Sequence, residues 1–163
     1  MEELTVRPAR PEDGPVWAAI YNQGIEERQA TFETRLRTAE DLRAQLDRTI
    51  VAERDGRVVA WAGVVPYSPR EAYAGVGEFS IYVDRAARGS GVGRTLLVDL
   101  CEFAEQLGFH KLTSKIFPEN EASLALMRSC GFRDVGVHMR HARLDGEWRD
   151  VVVVERLLGD AAR

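Results

Sequence analysis

The chain has 163 residues, 45% hydrophobic and 29% charged, with a formal net charge of −4; a chain of this kind can bury a core without disulfides or a structural metal. Its charges are mixed along its length, which argues against a nucleic-acid or membrane-surface partner. Its longest apolar runs, such as Val151 to Val154, fall far short of a membrane span, and the acidic opening Met1-Glu2-Glu3 does not read as a signal peptide.

Leu4 to Pro8 reads as a first strand, and Asp13 with Pro15 as the start of a helix with Val16, Ile20 and Tyr21 on its apolar face. Thr38 and Asp41 resemble a capping box opening a second helix that ends near Asp47. Ile50 to Glu53 and Arg57 to Val65 are strand-like, and Asp55-Gly56 between them signals a hairpin. Gly77 to Asp84 is a further strand. A helix follows from about Gly91 to Leu107, with Val92, Leu96, Leu100, Ala104 and Leu107 on one face and Gly108 as its stop. Lys111 to Phe117 reads as a strand and Asn120 to Cys130 as a helix ended by Gly131. Phe132 to Leu144 and Trp148 to Leu157 complete the pattern as two strands joined by Asp145-Gly146. This order predicts an α/β or α+β sandwich, a mixed sheet with helices on its faces. No repeat or linker divides it, so residues 1–163 are expected to form one domain. Cys101 and Cys130 stand in no metal or redox spacing, each at an apolar helical position, and read as small buried thiols of a reduced, cytoplasmic protein.

The stretch Arg85-Ala-Ala-Arg88-Gly89-Ser90-Gly91-Val92-Gly93-Arg94 lies between a predicted strand and a predicted helix. Its alternate glycines allow a tight turn and a close approach of backbone N–H groups to a ligand. Those N–H groups and the helix N-terminus suit a pyrophosphate, with Arg88 and Arg94 as charge-assisted partners. The spacing excludes two better-known phosphate loops. Arg88 stands where a Walker A loop requires glycine, no lysine follows Gly93, and Arg94 stands where the dinucleotide fingerprint requires its third glycine.

Arg88-x-x-Gly91-x-Gly93 after Glu78-Phe-Ser-Ile-Tyr-Val-Asp84 resembles the coenzyme A signature of the GNAT N-acetyltransferases, and the element order matches their fold over nearly the whole chain. The resemblance implies a mostly antiparallel central sheet and acetyl-CoA as cosubstrate. It further implies a splayed strand whose backbone around Ile81, Tyr82 and Val83 pairs with the pantetheine arm. Asn120 and Ser123 match a second coenzyme-contacting position, although Asn120 reads equally well as a helix N-cap. Five segments, Ile20-Tyr21-Asn22, Ala30-Thr31-Phe32-Glu33-Thr34, Arg70-Glu-Ala-Tyr73, Glu78 to Val83 and Gly146-Glu-Trp148-Arg-Asp150-Val, are similar to the phosphinothricin acetyltransferase branch. Tyr21 to Thr34 as a whole looks closest to the arsinothricin acetyltransferases within it.

By that resemblance Glu78 is the general base that deprotonates the substrate amine, and the N–H near Ile81 receives the developing oxyanion. Arg70, Tyr73 and Phe32 are the implied substrate contacts, Arg70 because a guanidinium grips carboxylate or phosphinate oxygens bidentately. The chain departs from the superfamily at Met127, where many members carry a thiolate-protonating tyrosine, and at Asp145, where a phosphinothricin acetyltransferase can carry histidine. His141 is four residues away and is given no catalytic role. His138 and His141, three apart on a predicted strand, are expected on opposite faces, and no metal site is expected. The implied function is acetylation of the α-amine of a small glutamate-like amino acid, such as phosphinothricin or arsinothricin, by a homodimer. A methionine sulfoximine or sulfone acetyltransferase, a protein N-terminus acetyltransferase and a non-catalytic acyl-CoA sensor are the rivals.

Overall fold

Seven strands form one sheet in the computed structural model, which describes residues 3–163; Met1 and Glu2, part of the acidic opening, lie outside that range. They are β1 (Leu4–Pro8), β2 (Thr49–Arg54), β3 (Arg57–Pro66), β4 (Val76–Val83), β5 (Lys111–Ile116), β6 (Arg133–Leu144) and β7 (Glu147–Leu157). Their order across the sheet is β1-β2-β3-β4-β5-β7-β6. Every neighbouring pair is antiparallel except β4 and β5, so the sheet is mixed and mostly antiparallel. Three α-helices cover it: α1 (Gly14–Glu27), α2 (Val92–Gln106) and α3 (Glu121–Ser129). Both predicted hairpin turns form, with Asp55-Gly56 and Asp145-Gly146 all at positive φ, the conformation a two-residue hairpin turn demands.

The strands carry apolar residues on both faces, and the two faces build separate cores. On one face Ile50, Ala52, Ala60, Ala62, Phe79, Leu112 and Val154 pack against Leu96, Leu97, Leu100 and Ala104 of α2. On the other, Val51 and Trp61 pack against Trp17 and Ile20 of α1 and against Leu42. Trp17 is the centre of the α1 face; Val16 and Tyr21 of the predicted face only flank it. Leu107 is half exposed because it follows the last turn of α2 and no longer projects onto the sheet. Cys101 and Cys130 are both buried and free.

The predicted second helix is not α-helical. Ala39–Arg48 winds as two short 3-10 pieces with a kink at Gln45 (φ −133°, ψ 19°). The Thr38–Asp41 capping box does form, with Thr38 N–H donating to Asp41 Oδ2 at 2.8 Å. Leu42 is the only buried residue of the segment, too narrow a stripe to hold a continuous α-helix on the core. Thr49 Oγ1 instead donates to the Gln45 carbonyl at 2.7 Å where the chain turns into β2.

Candidate active site

A parallel pair that comes apart creates the site. β4 and β5 are in register only at Val76–Lys111, Gly77–Leu112 and Glu78–Thr113. Beyond Glu78, β4 stays with β3 as far as Val83, while β5 runs on beside β7. The backbone of β4 past this fork has a partner on one edge only. Asp84 N–H donates to Val59 O at 2.8 Å, so the even-numbered residues face β3, and Phe79 O, which accepts from Ser114 Oγ at 3.0 Å, faces the fork. N–H and C=O of one strand residue point to the same edge and alternate along the chain, which turns the backbone of Ile81 and Val83 into the cleft. The expected splayed strand is present.

Two cavities fill the fork and meet at Ala30, Ile81, Tyr82, Asn120 and Ser123. The larger, about 480 Å³, runs from Ile81 to Val83 over Arg88, Gly89, Gly91 and Gly93 and along Ala122 and Leu126 of α3. Gly89 and Gly91 sit at φ +78° and +83°, a region that costs an L-residue roughly 1–2 kcal/mol. Gly93 has another reason to be glycine: a Cβ there would stand 3.2 Å from Leu126 Cδ2, tightening the contact of α2 with α3. Asp84 accepts from Ala86 N–H and from Gln23 Nε2, and Gln23 Oε1 accepts from Arg85 N–H, which ties the loop to α1. The cavity therefore has as its floor the backbone of a strand with no partner strand on that edge, and a glycine loop at a helix N-terminus as its end. That surface fits the pantetheine arm and pyrophosphate of coenzyme A.

The two loop arginines are engaged. Arg88 forms a bidentate pair with Glu27 at 2.8 and 3.1 Å and also donates to Val83 O, and its hydrogen bond holds the Glu27 carboxyl below the usual range. Arg94 donates to Ser129 O at 2.9 Å and lines neither cavity. Ser90 bonds back to Ala87 O, and Val92 is buried, so neither side chain reaches the cleft. Asn120 caps α3 by accepting from Ser123 N–H at 3.2 Å, and with Ser123 it lines both cavities. Tyr82 stacks on both Tyr21 and Trp61, at 4.9 and 5.1 Å between centroids, in a cluster where those two also touch each other at 5.2 Å, and burial pushes its hydroxyl pKa up.

The smaller cavity, about 320 Å³, lies at the point of the fork. Glu78 and Lys115 face each other there, with Lys115 Nζ 3.3 Å from both carboxylate oxygens. Phe32 forms part of the wall, held edge-on to Phe117 at 4.9 Å. Met127 is fully buried behind it and carries no transferable proton. Arg70 and Tyr73, the predicted substrate clamp, line neither cavity. They lie on the loop between β3 and β4, where Tyr73 is half exposed and edge-on to Tyr67.

His141, given no catalytic role from the sequence, and Lys115, not considered there, also line this cavity. The two histidines are not on opposite faces: His138 and His141 stack at 4.7 Å. Between His138–Val151 and Ala142–Arg149, β6 spends more residues than β7, and Arg140 adopts φ +49° with its N–H on Asp150 Oδ1 at 2.7 Å. This bulge breaks the two-residue period and turns His141 into the site. Asp150 in the quoted Gly146 to Val151 segment was the available signal. Lys115 offered only its place two residues after the last β4–β5 rung, which requires knowing the register.

Residues 16–132 match the Acetyltransferase (GNAT) family. A phosphinothricin N-acetyltransferase of Alcaligenes faecalis is 37% identical over 94% of this chain and 82% of its own. An L-methionine sulfoximine/L-methionine sulfone acetyltransferase of Pseudomonas aeruginosa is 29% identical over 93% and 92%. A phosphinothricin acetyltransferase from Sinorhizobium meliloti, solved in complex with acetyl-CoA, superposes with a TM-score of 0.89 at 28% identity, covering 97% of this chain and 90% of that one. With a forked strand, a glycine loop at its end and relatives matched along nearly its whole length, the chain belongs to the phosphinothricin N-acetyltransferase branch of the GNAT family and is an acetyl-CoA-dependent N-acetyltransferase.

Proposed function

We propose that this enzyme acetylates the α-amine of a small glutamate-like amino acid whose side chain ends in a tetrahedral phosphinate or arsinate group, a detoxifying reaction of the cytoplasm. The observation that carries the reading is the junction of the two cavities. A cavity of about 320 Å³ that holds a carboxylate opens at Ile81 onto the surface suited to coenzyme A. That volume is at the small end for ligand sites and matches an amino acid better than a peptide.

Bound acetyl-CoA supplies the activated acetyl group. In the proposed mechanism the Ile81 N–H, unpaired in the fork, donates to the acetyl oxygen as negative charge grows there. The backbone of Ile81 and Val83 holds the pantetheine arm, and Gly89, Gly91, Gly93 and the start of α2 hold the pyrophosphate. Arg88 rims that end, and Asn120 and Ser123 border the junction. Glu78 takes a proton from the substrate ammonium, leaving the nitrogen lone pair free to attack. Met127 has no proton to return, and His141 is the imidazole on the same wall, so we assign it the proton delivered to the departing thiolate. Phe32 walls the acceptor. Arg70 and Tyr73, on the loop that leads into β4, take the part of the acceptor that extends out of the cavity.

We further propose that residues 1–163 act as one domain and that two copies associate through β6. This edge strand exposes Val135, Val137 and Met139, the last at 77%, an alternate apolar row of a kind monomers usually blunt. The activity is tested by thiol release from acetyl-CoA with phosphinothricin, an arsinothricin mimic, methionine sulfoximine and a short peptide offered separately. Turnover confined to the phosphinate and arsinate compounds is the expected result. Preference for methionine sulfoximine moves the substrate to the sulfur analogue, turnover of the peptide alone overturns the amino-acid reading, and acetyl-CoA binding with no turnover of any acceptor points to a sensor or to an acceptor outside this set.

A further inference from the structure

Lys115 is the one lysine or arginine among the residues that line the smaller cavity. It is placed by register: Thr113 is the last β5 residue paired with β4, opposite Glu78, and Lys115 stands two residues on along the same face. The strands have separated there, so its side chain leans back across the mouth of the fork to Glu78. The resulting pair is loose. Both contacts measure 3.3 Å, longer than a well-formed charge-assisted hydrogen bond, and the side chains remain 32% and 38% exposed. Pairs so exposed add little to stability. Among the described residues neither side chain makes another hydrogen bond or ion pair. A base and a cation are held side by side with nothing else to hold them.

We propose that Lys115 binds the α-carboxylate of the acceptor and that the Glu78–Lys115 pair is the resting form of a clamp for the ammonium and carboxylate of one amino acid. The proposal rests on Glu78 being the base. In an α-amino acid the ammonium and the carboxylate hang from the same carbon. A substrate whose amine addresses Glu78 therefore brings its α-carboxylate to the neighbouring cation, whereas a side-chain phosphinate lies several bonds farther off. On entry Lys115 exchanges Glu78 for the substrate carboxylate, and Glu78 exchanges Lys115 for the substrate ammonium. Each charge keeps an opposite partner, so opening the pair leaves none uncompensated. An amine without the carboxylate must compete with Lys115 for Glu78 and leaves Lys115 unpaired. A peptide presents a neutral amide at the same place. The pair thus selects free amino acids.

The test compares an amino acid with its decarboxylated amine, L-phosphinothricin against (3-aminopropyl)methylphosphinate, or L-methionine sulfone against its amine, according to which amino acid the native enzyme turns over. Lys115→Met should raise the KM of the amino acid roughly 10- to 100-fold, the range for losing a hydrogen bond to a charged group, with kcat within a few-fold. It should not raise the KM of the amine, so the preference for the carboxylate collapses, and Lys115→Arg should restore most of it. Circular dichroism and Tm confirm that each variant is folded, and Lys115→Gln replaces the Met variant if that one is not. An equal loss on both acceptors, or a loss of kcat with KM unchanged, overturns the proposal and makes Lys115 a positioning residue for Glu78. These results leave the acetyltransferase reading intact. A native enzyme that turns over peptides and neither amino acid removes that reading, and this proposal with it.

Discussion

Glu78→Gln keeps the size and hydrogen-bonding capacity of the side chain and removes its ability to take a proton. If Glu78 is the general base, kcat falls by about 10²- to 10⁴-fold while acetyl-CoA still binds, as titration calorimetry would read. A variant that keeps native kcat moves the base elsewhere. His141→Ala is expected to slow turnover without weakening acetyl-CoA binding, and the loss should be partly relieved by added imidazole. Cys101 lies far from this chemistry. Burial pushes its thiol pKa up, against the opposing influence of Arg156, whose Nη1 stands 3.4 Å from its sulfur. Both cysteines should resist a thiol reagent in the native protein and react fully in guanidinium.

At the scale of elements, α1 and β4 meet at Gly24, where an added Cβ would stand 2.5 Å from Tyr82 Cε1. The ring has little room to retreat, because it packs against both Tyr21 and Trp61, which also touch each other. Gly24→Ala should therefore cost about 1–3 kcal/mol, read as a lower urea midpoint, and because β4 carries Ile81 it should raise the KM for acetyl-CoA as well. Gly91→Ala separates the two effects. A Cβ there meets nothing within 4 Å, so its cost is the left-handed backbone alone, about 1–2 kcal/mol. The KM for acetyl-CoA should rise several-fold with a smaller change in the midpoint. A Gly91→Ala variant with native KM would show that the loop does not hold the cosubstrate in this conformation.

For the whole molecule, Arg7 ties the sheet edge to the start of α1, with two bonds to Asp13 at 2.8 and 2.9 Å and one to Glu53 at 2.9 Å. Burial disfavours the Asp13 carboxylate, but the bonds from Arg7 and from Arg10 N–H outweigh it and hold its pKa below the usual 3.8. Burial likewise opposes ionisation of Glu155, and its bonds to Lys111 and Arg133 hold its pKa below 4.5. Groups whose folded pKa is lowered stabilise the protein fully above the unfolded value, and that contribution is lost as pH falls through the folded one. Stability should therefore be flat from neutrality to about pH 5 and decline below about pH 4. Asp13→Asn should cost about 2 kcal/mol at pH 7 and flatten the acid limb of urea midpoints measured against pH. Val137→Asp on β6 should convert a dimer to a monomer by sedimentation; a native protein that sediments as a monomer ends the dimer proposal.

The sequence by itself determined what depends on neighbours along the chain. Hydrophobic period set the strands and the face of α2. Dipeptides that tolerate positive φ set the hairpins, and glycine spacing marked the loop after β4 that fits coenzyme A. Tertiary structure decided what depends on register and on fit against another element. Ala39–Arg48 has a helix cap but too little apolar surface, and only packing settled its winding. The β6 bulge exists because two strands of unequal count must pair, and it reverses the expected separation of His138 and His141. Lys115 carries no motif at all. It meets Glu78 because the parallel ladder stops at the Glu78–Thr113 rung, and a charge two residues past that rung on β5 is left facing the Glu78 carboxylate.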